Sequence, residues 1–301
     1  MRPNAALGRP DPRIYQILVL ATLLAYGLLL LRFEVDAAQV LLTLGSALAA
    51  QWICTRAARL PRFDPKSALI SGLSLCLLLR ADSVWLVPAI AAATIASKFL
   101  LRLRGKHVWN PTNFGLAFGM AALGGVWVSP GQWGSVAFFG FLVACLGGLV
   151  VNRAARSDVT LAFLASYVAI LVARSLWLGE PMTIPAHRLA NGAFLIFAFF
   201  MISDPKTTPD RRAGRILFAV LVSAGAAFVT FVLNRTNGLI WSLAALAPAV
   251  PLIDRILPGP RYAWSRPAPD DSPKGALHER PDVPTPAPLL PAPRRVGAAR
   301  P

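Results

Sequence analysis

The chain has 301 residues, of which 55% are hydrophobic and only 15% are charged, and its mean hydropathy is +0.56. Because soluble domains carry charge on about a quarter of their residues, this composition excludes an ordinary water-soluble domain and predicts an integral membrane protein surrounded by lipid. The net charge of +16 does not indicate a nucleic-acid partner. The sequence contains no nucleic-acid-binding motif, and Lys and Arg beside apolar segments set membrane topology.

Ten apolar segments follow a short N-terminal segment, residues 1–13, and predict an all-α polytopic membrane protein. In chain order the predicted spans are 14–31, 37–55, 67–79, 84–97, 112–128, 135–151, 159–178, 189–202, 216–233 and 237–256. A complete helical crossing needs about 20 residues. Segments 67–79 and 189–202 are shorter, and they predict broken helices that stop partway across the membrane beside a cavity.

Lys and Arg predict the orientation of these spans. Outside the last predicted span and the C-terminal tail, 17 of them fall on one side of the membrane and 5 fall on the other. Because the basic side faces the cytoplasm, we predict a bacterial cytoplasmic (inner) membrane protein with both termini in the cytoplasm. The membrane domain covers 14–257. Residues 258–301 are rich in proline and have no sustained apolar period, which predicts a disordered cytoplasmic tail.

Two segments of the chain are similar to each other. The sequence NPTNFGLAFGMAAL begins at Asn110 and NRTNGLIWSLAAL begins at Asn234, and each heads the fifth span of a set of five. Since five is an odd number, the second set would enter the membrane from the opposite side. This predicts two inverted five-helix repeats, 14–128 and 135–256, each with a short third helix. The alternative is chance similarity within an apolar chain.

Polar residues at the start of the fifth span form a candidate cofactor site. Asn110 and Asn113 lie three positions apart, so on a helix their amides share one side, and amides both donate and accept hydrogen bonds. That capacity suits a flavin or a sugar-like chain. The alternative is that both residues only cap the helix, with Pro111 in its first turn. His107 is a further candidate ligand, and its alternative is a solvated histidine at the membrane surface.

A second candidate site follows the short span 189–202. Asp204 and Thr207 lie in the sequence SDPKTTP, and a carboxylate at membrane depth is costly enough to indicate an ion or proton site. The alternative is a loop aspartate paired with Lys206. The tripeptide DPK also begins at Asp64, and we interpret this as a coincidence because the two positions are not equivalent in the repeats. No soluble-enzyme motif or metal-ligand cluster is present, so we predict no catalytic residue and no metal site.

Four stretches of the sequence carry a family resemblance. They are SALISGLSLCLLLR (67–80), SKFLLRLRGKHVWNPTNFGLAFGM (97–120), HRLANGAFLIFAFFMISDPKTTPDRRAGRILFAV (187–220) and NGLIWSLAALAPAVPLIDRI (237–256). Together they resemble the RnfD/NqrB family, whose members are membrane subunits of the Rnf electron-transport complex and of the sodium-pumping NADH:quinone oxidoreductase. The resemblance implies ten spans in two inverted halves, in a fold similar to that of urea transporters.

The resemblance also implies flavins. Family members hold a riboflavin or similar flavin within the spans, and they carry an FMN esterified to a threonine in the outer loop between spans five and six. In this chain that loop is WVSPGQWG (127–134), which contains no threonine, so we expect no covalent FMN. In the family's turn, N-I-F-N-P, two asparagines lie near the non-covalent flavin. The second matches Asn110, whereas His107 replaces the first, so we expect at most a non-covalent riboflavin or FMN.

Two functions are compatible with this resemblance. The first is RnfD-like electron transfer across or along the membrane. The chain would then be a non-catalytic subunit working with other redox or accessory membrane subunits, because it has no nicotinamide or Fe–S site of its own. The second is a flavin-free transporter-like or export accessory protein, since shortened family members also occur as accessories of enediyne-type natural-product biosynthesis. Fold alone does not choose between these functions.

Overall fold

The computed structural model of the protein describes residues 11–129, 146–152 and 154–262. Residues 263–301, most of the predicted disordered tail, lie outside the described residues, as do residues 1–10 and 130–145. The helices of the described part are α1 (Pro12–Leu29), α2 (Ala37–Ala57), α3 (Lys66–Leu78), α4 (Leu86–Leu100), α5 (Pro111–Phe118), α6 (146–152), α7 (Ser157–Leu178), α8 (Thr183–Leu189), α9 (Gly192–Ile196), α10 (Arg212–Ala227), α11 (Gly238–Leu246) and α12 (Val250–Ile256).

Short irregular segments extend or join these helices. Three helices continue in a π-helical turn, α5 in Gly119–Leu123, α9 in Phe197–Met201 and α10 in Phe228–Val232, and a 3₁₀ turn, Ala247–Ala249, joins α11 to α12. The strands are β1 (Leu79–Ala81), β2 (Arg102–Leu103), β3 (Lys106–His107) and β4 (Val126–Val128). Two antiparallel pairs form: β1 with β4 and β2 with β3.

The architecture is that of an all-α, multi-pass membrane protein, as the sequence predicts. Five stretches of the described residues are long and apolar enough to cross a membrane, and the bent pair α8–α9 would be a sixth if it counted as one span. The five are Pro12–Leu29, Ala37–Ala57, Ser157–Leu178, Arg212–Val232 and Gly238–Ile256. Large apolar side chains such as Leu29, Leu41 and Trp177 remain 71–86% exposed on the outside of the bundle, where lipid would cover them.

Both segments predicted to be short are short in the structure. Helix α3 has 13 residues, and α9 with its π-helical turn has ten, after a bend of 56° from α8. Helix α3 ends where Arg80 donates hydrogen bonds to the carbonyl oxygens of Cys76 (3.3 Å) and Leu79 (2.8 Å). These bonds satisfy acceptors that the end of a helix leaves open, and the Ser129 backbone N–H donates to a further one, the Leu78 carbonyl oxygen (2.8 Å).

One predicted span has the wrong C-terminal boundary. The sequence predicts a helix over 112–128, but helical structure ends at Leu123 and residues 126–128 pair with β1. Gly124 and Gly125 have positive φ angles of 64° and 57°, and glycine reaches that conformation without steric cost. The two glycines therefore turn the chain out of the helix.

Candidate functional site

A tight hairpin connects α4 to the start of α5 and positions His107. Strands β2 and β3 pair Arg102 with His107. The two residues between them, Arg104 and Gly105, have φ angles of 51° and 78°, as a two-residue type I′ hairpin turn requires. The turn at Gly105 thus brings the chain back to the end of α4, where the His107 ring lies beside the Lys98 backbone.

Asn110 caps α5 and also ties this helix to the loop after α9. Its Oδ1 accepts a hydrogen bond from the Asn113 backbone N–H (3.0 Å), and Pro111 occupies the first helical position, as the capping alternative predicts. Its Nδ2 donates to Asp204 Oδ2 (3.1 Å). Capping therefore uses only the oxygen of the Asn110 amide. Its nitrogen joins the predicted cofactor site to the predicted ion or proton site at Asp204.

Asp204 organises its loop through both its side chain and its backbone. Its Oδ1 accepts from the backbone N–H of Lys206 (2.9 Å), and its carbonyl oxygen accepts from the backbone N–H groups of Thr207 and Thr208 (both 3.1 Å). Burial raises the pKa of the Asp204 carboxyl group, and the Lys206 N–H and the Asn110 amide oppose that rise.

The alternative for Asp204, an ion pair with Lys206, does not form between the described side chains. The Lys206 ammonium donates instead to the carbonyl oxygen of Tyr262 (3.2 Å). Thr207 is 6% exposed, and its hydroxyl group reaches the Asp204 carbonyl at 3.4 Å. Thr207 does not belong to the described lining of the cavity beside Asp204.

That cavity has a volume of about 380 Å³ and is hereafter the basic-side cavity. Ligand sites in proteins have volumes of about 300–1,000 Å³. Polar side chains from several elements line it: Gln51, Asp64, Ser67, Ser71, Ser74, Lys98, His107, Asn110, Thr112, Ser203, Asp204 and Lys206. Phe199 and Phe200 contribute apolar surface. The cavity thus combines hydrogen-bonding groups with aromatic rings.

Lys98 is the buried charge of this cavity, and the sequence did not single it out. The residue is only 3% exposed, and its Nζ donates to Gln51 Oε1 (2.7 Å) and Ser67 Oγ (3.1 Å). Among the described residues, no carboxylate oxygen lies within 4.0 Å of this ammonium group. In the sequence Lys98 counts only as a topology charge, because basic side chains near the ends of apolar helices commonly extend to the membrane surface.

His107 offers an unused hydrogen-bond acceptor. Burial lowers the pKa of its ring to about 4, with the positive charges of Arg102 and Lys98 acting in the same direction, so the ring is neutral at pH 7. The ring makes a hydrogen bond to the backbone of Lys98, while its buried Nδ1 has no partner among the described residues. We assign the single ring proton to Nε2, which leaves Nδ1 as an acceptor.

Asn113 is separated from the cavity and lies between α5 and α11. It is 0% exposed, and its Nδ2 donates to the Ile240 carbonyl oxygen (3.3 Å). Its Oδ1 is buried and has no partner among the described residues. The two asparagines expected to act together therefore have different surroundings, because the helix turns Asn113 toward α11.

The start of α5 contacts the end of α11, and the start of α11 contacts the end of α5. Trp109, before α5, donates from Nε1 to the carbonyl oxygen of Ala244 near the end of α11 (2.8 Å). Asn237, before α11, donates from Nδ2 to Met120 Sδ after α5 (3.4 Å). The two similar segments therefore lie side by side and antiparallel.

A second cavity of about 450 Å³ lies at the start of α11. It is bordered by Asn234, Asn237 and Gly238 from the second similar segment and by Asn191 and Phe194 from the short helix α9. The basic-side cavity is likewise bordered by the start of α5 and by the short helix α3. Each similar segment thus borders a different cavity, whereas both short helical segments contribute to both cavities, with Phe199 lining the first and Leu78 the second.

The two DPK tripeptides form similar turns, and the aspartate of each lines the same cavity. Asp64 Oδ1 accepts from the Lys66 backbone N–H (3.1 Å), as Asp204 Oδ1 does from Lys206. Both carboxylates line the basic-side cavity. The structure thus joins two turns whose similarity we interpreted as a coincidence in the sequence.

Comparison with known proteins finds related sequences. Residues 120–262 match the model of the NQR2, RnfD, RnfE family. A protein of Erwinia tasmaniensis is 29% identical over 177 residues, one of Escherichia coli is 28% identical over 173, and one of Vibrio cholerae is 25% identical over 171. The name of each describes one subunit of an ion-translocating oxidoreductase complex.

These matches are distant and partial. The alignments cover 56% of this chain and 45–46% of the relatives, so the chain spans less than half the length of the curated relatives it matches. The segment matched by the family model contains Asp204 and Thr207 but begins after Asn110. The chain is a distant relative of these membrane subunits.

Proposed function

We propose that this chain is a membrane subunit of the NQR2, RnfD, RnfE family that takes part in electron transfer and holds a non-covalent flavin in the basic-side cavity. One observation carries the proposal. The cavity lining includes Lys98 with its buried ammonium group, His107, whose buried Nδ1 has no partner among the described residues, and Asn110 with its partly used amide. A flavin ring system needs both donors and acceptors, and these residues supply both.

Each residue would have a separate role toward the flavin. The neutral His107 Nδ1 would accept from the imide N–H of the ring. The Lys98 ammonium has three N–H donors, of which two are engaged by Gln51 and Ser67, so the third would donate to a ring carbonyl group. Phe199 and Phe200 would cover apolar ring surface. When bound, the flavin would supply one- and two-electron transfer. A positive charge beside the ring would favour its reduced state.

The flavin would be held without a covalent bond. The loop that carries the FMN-bearing threonine in the family is WVSPGQWG (127–134) here and contains no threonine. Residues 130–134 lie outside the described residues, so this part of the proposal rests on the sequence. Without covalent FMN, the chain depends on other redox or accessory membrane subunits to accept or deliver electrons, as partners of its cavity flavin.

We further propose ten spans in two inverted repeats. The antiparallel contact of α5 with α11 supports this arrangement. So does the glycine of each similar segment, because a Cβ atom at Gly115 would overlap Thr94 Oγ1, and one at Gly238 would overlap Thr230 Oγ1. Each glycine therefore allows its helix to pack closely against a threonine of the helical element that precedes it.

The basic-side cavity would face the cytoplasm, with both termini on that side. Ion pairs join several loops that the sequence places on this side, between Lys66 and Asp11 (3.0 Å), Lys106 and Asp210 (3.0 Å), Lys106 and Asp254 (2.8 Å), and Arg215 and Asp158 (2.6 Å). A cytoplasmic opening would give soluble redox partners access to the flavin. Lys and Arg are concentrated on the cytoplasmic side of membrane proteins.

Asp204 is the residue of this site suited to bind a proton or an ion. Its carboxyl group lines the cavity and its pKa is raised by burial. Thr207 would act only by fixing the loop, through its contact with the Asp204 carbonyl oxygen.

The flavin-free alternative is favoured by one feature, the second cavity at the start of α11. Two cavities related by similar segments are also what a transporter-like or export accessory protein would need, because transporters bind cargo between inverted repeats. Flavin content separates the two functions.

The test is an absorption and fluorescence spectrum of the detergent-purified protein before and after acid precipitation. We expect a flavin spectrum whose chromophore moves entirely into the supernatant. Flavin that stayed with the pellet would show a covalent link. A folded preparation without flavin would contradict electron transfer and favour the transporter-like alternative.

An Asn110→Ala variant tests the position of the flavin. It removes the cap of α5, at a cost of about 1 kcal/mol, and it removes the bond to Asp204, so we expect released flavin. The matched control is Asn191→Ala, since Asn191 caps α9 through the Ala193 N–H (2.8 Å) and lines the second cavity. The control should lose similar stability and keep its flavin. Equal flavin loss in both variants would contradict this site.

A further inference from the structure

The described lining of the basic-side cavity carries an excess of positive charge. The described lining contains five cationic side chains, Arg13, Arg62, Lys98, Arg102 and Lys206, and two carboxylates, Asp64 and Asp204. Since His107 is neutral at pH 7, the formal charge of this lining is five minus two, or +3. Asp11 lies outside this lining and compensates part of the excess through Arg13. A negatively charged ligand would compensate more of it.

The cationic groups differ in depth and in partners. Arg13 is already engaged with Asp11 and Asp64. Lys98 is buried, whereas Arg62 and Arg102 are exposed residues of the same lining. In the described part of the chain, neither Arg62 nor Arg102 has a carboxylate oxygen within 4.0 Å. The lining thus contains two exposed arginines that have no acidic partner in that part of the chain.

The interior of the cavity has a different character. Ser71, Ser74 and Thr112 are 3–4% exposed, and they line the cavity together with the aromatic side chains of Phe199 and Phe200. Neutral hydroxyl groups and aromatic rings suit a flat heteroaromatic ring. The lining thus combines buried neutral and aromatic groups with exposed arginines.

We infer that the basic-side cavity selects a flavin carrying a single phosphate group, FMN, over uncharged riboflavin. The inference rests on the proposed flavin function and names the ligand within that site. Guanidinium groups bind phosphate by charge-assisted, often bidentate, hydrogen bonds. Arg62 and Arg102 would hold the phosphate, while Lys98, His107 and Asn110 contact the ring. The volume of about 380 Å³ lies at the small end of ligand sites, which favours FMN over the larger FAD.

The experiment uses the full-length protein in detergent. Chromatography of the acid supernatant identifies the flavin, and fluorescence titration of the stripped protein compares FMN with riboflavin. We expect FMN as the released flavin and a dissociation constant for FMN at least about tenfold lower than for riboflavin, the difference made by one charge-assisted hydrogen bond.

Charge-neutral variants then locate the phosphate site. In the Arg62→Gln, Arg102→Gln double variant, FMN affinity should fall to about that of riboflavin, whose own affinity should not change. Arg62→Gln alone should give part of this loss, and it serves if the double variant does not fold, since Arg102 also donates to the Lys98 carbonyl oxygen. Arg212→Gln is the control, because Arg212 is exposed and lies outside the described lining of the cavity.

The outcomes separate the inference from the function it rests on. Released riboflavin or FAD, or equal affinity for FMN and riboflavin, would overturn the inference and leave a flavin-binding membrane protein in place. An FMN preference that survived in the double variant would overturn the assignment to Arg62 and Arg102. A folded protein that bound no flavin would overturn the proposed function and the inference with it.

Discussion

At the residue scale, the site depends on polar groups that the fold buries without using all of their hydrogen-bonding capacity. His107, Lys98 and Asn110 line the basic-side cavity, and each keeps hydrogen-bonding capacity that the described residues do not use. Leaving a buried polar group unpaired costs about 1–3 kcal/mol, so such groups are seldom retained for stability alone. A ligand with complementary groups would offset that cost.

The buried ring of His107 predicts a pH dependence of stability. Its pKa is about 4 in the folded protein and 6.5 when solvated. Between these values the unfolded chain binds a proton at this ring that the folded protein does not, so the contribution of His107 to stability falls as the pH falls from 7 toward 4. At pH 5 this ring would cost about 2 kcal/mol relative to a group that does not titrate.

The measurement is the midpoint of thermal unfolding of wild type and His107→Asn at pH 7 and pH 5. Wild type should lose several degrees more than the variant between the two pH values. The other titrating groups, including Asp204, are present in both proteins and cancel in the comparison. An equal loss in both proteins would show that the His107 pKa is not lowered by folding.

At the element scale, the close packing of α4 with α5 holds the cavity wall in place. Gly115 faces Thr94, and a Cβ atom at this glycine would overlap Thr94 Oγ1 and lie 3.1 Å from Thr94 Cβ. Helices α4 and α5 carry Lys98 and the Asn110 cap at their adjoining ends. A substitution that separates the helices should therefore affect both stability and ligand binding.

Gly115→Ala should destabilise the protein by about 1–3 kcal/mol, the usual cost of overpacking, and weaken flavin binding. Gly45→Ala is the control, because nothing lies within 4 Å of a Cβ atom there and alanine favours a helix over glycine. Adding Thr94→Ala to Gly115→Ala should restore part of the stability. Thermal unfolding of the three variants checks this, and a Gly115→Ala protein as stable as the control would contradict the packing.

At the scale of the whole molecule, the composition and the lengths of the apolar segments predict the membrane class and the two short helices, because both are local properties of the sequence. The predicted helix over 112–128 fails where Gly124 and Gly125 turn the chain. Lys98 and the shared turn of Asp64 and Asp204 could not be identified from the sequence. Their proximity depends on the packing of α3, α4 and the loop after α9, which no local pattern encodes.

The most direct test of the proposed flavin site is an experimental structure of the full-length protein purified with its chromophore. We predict flavin density in the basic-side cavity, with the ring within hydrogen-bond distance of Lys98 Nζ and His107 Nδ1. Density for lipid or water alone in that cavity, or a flavin in the second cavity beside Asn237, would contradict this assignment.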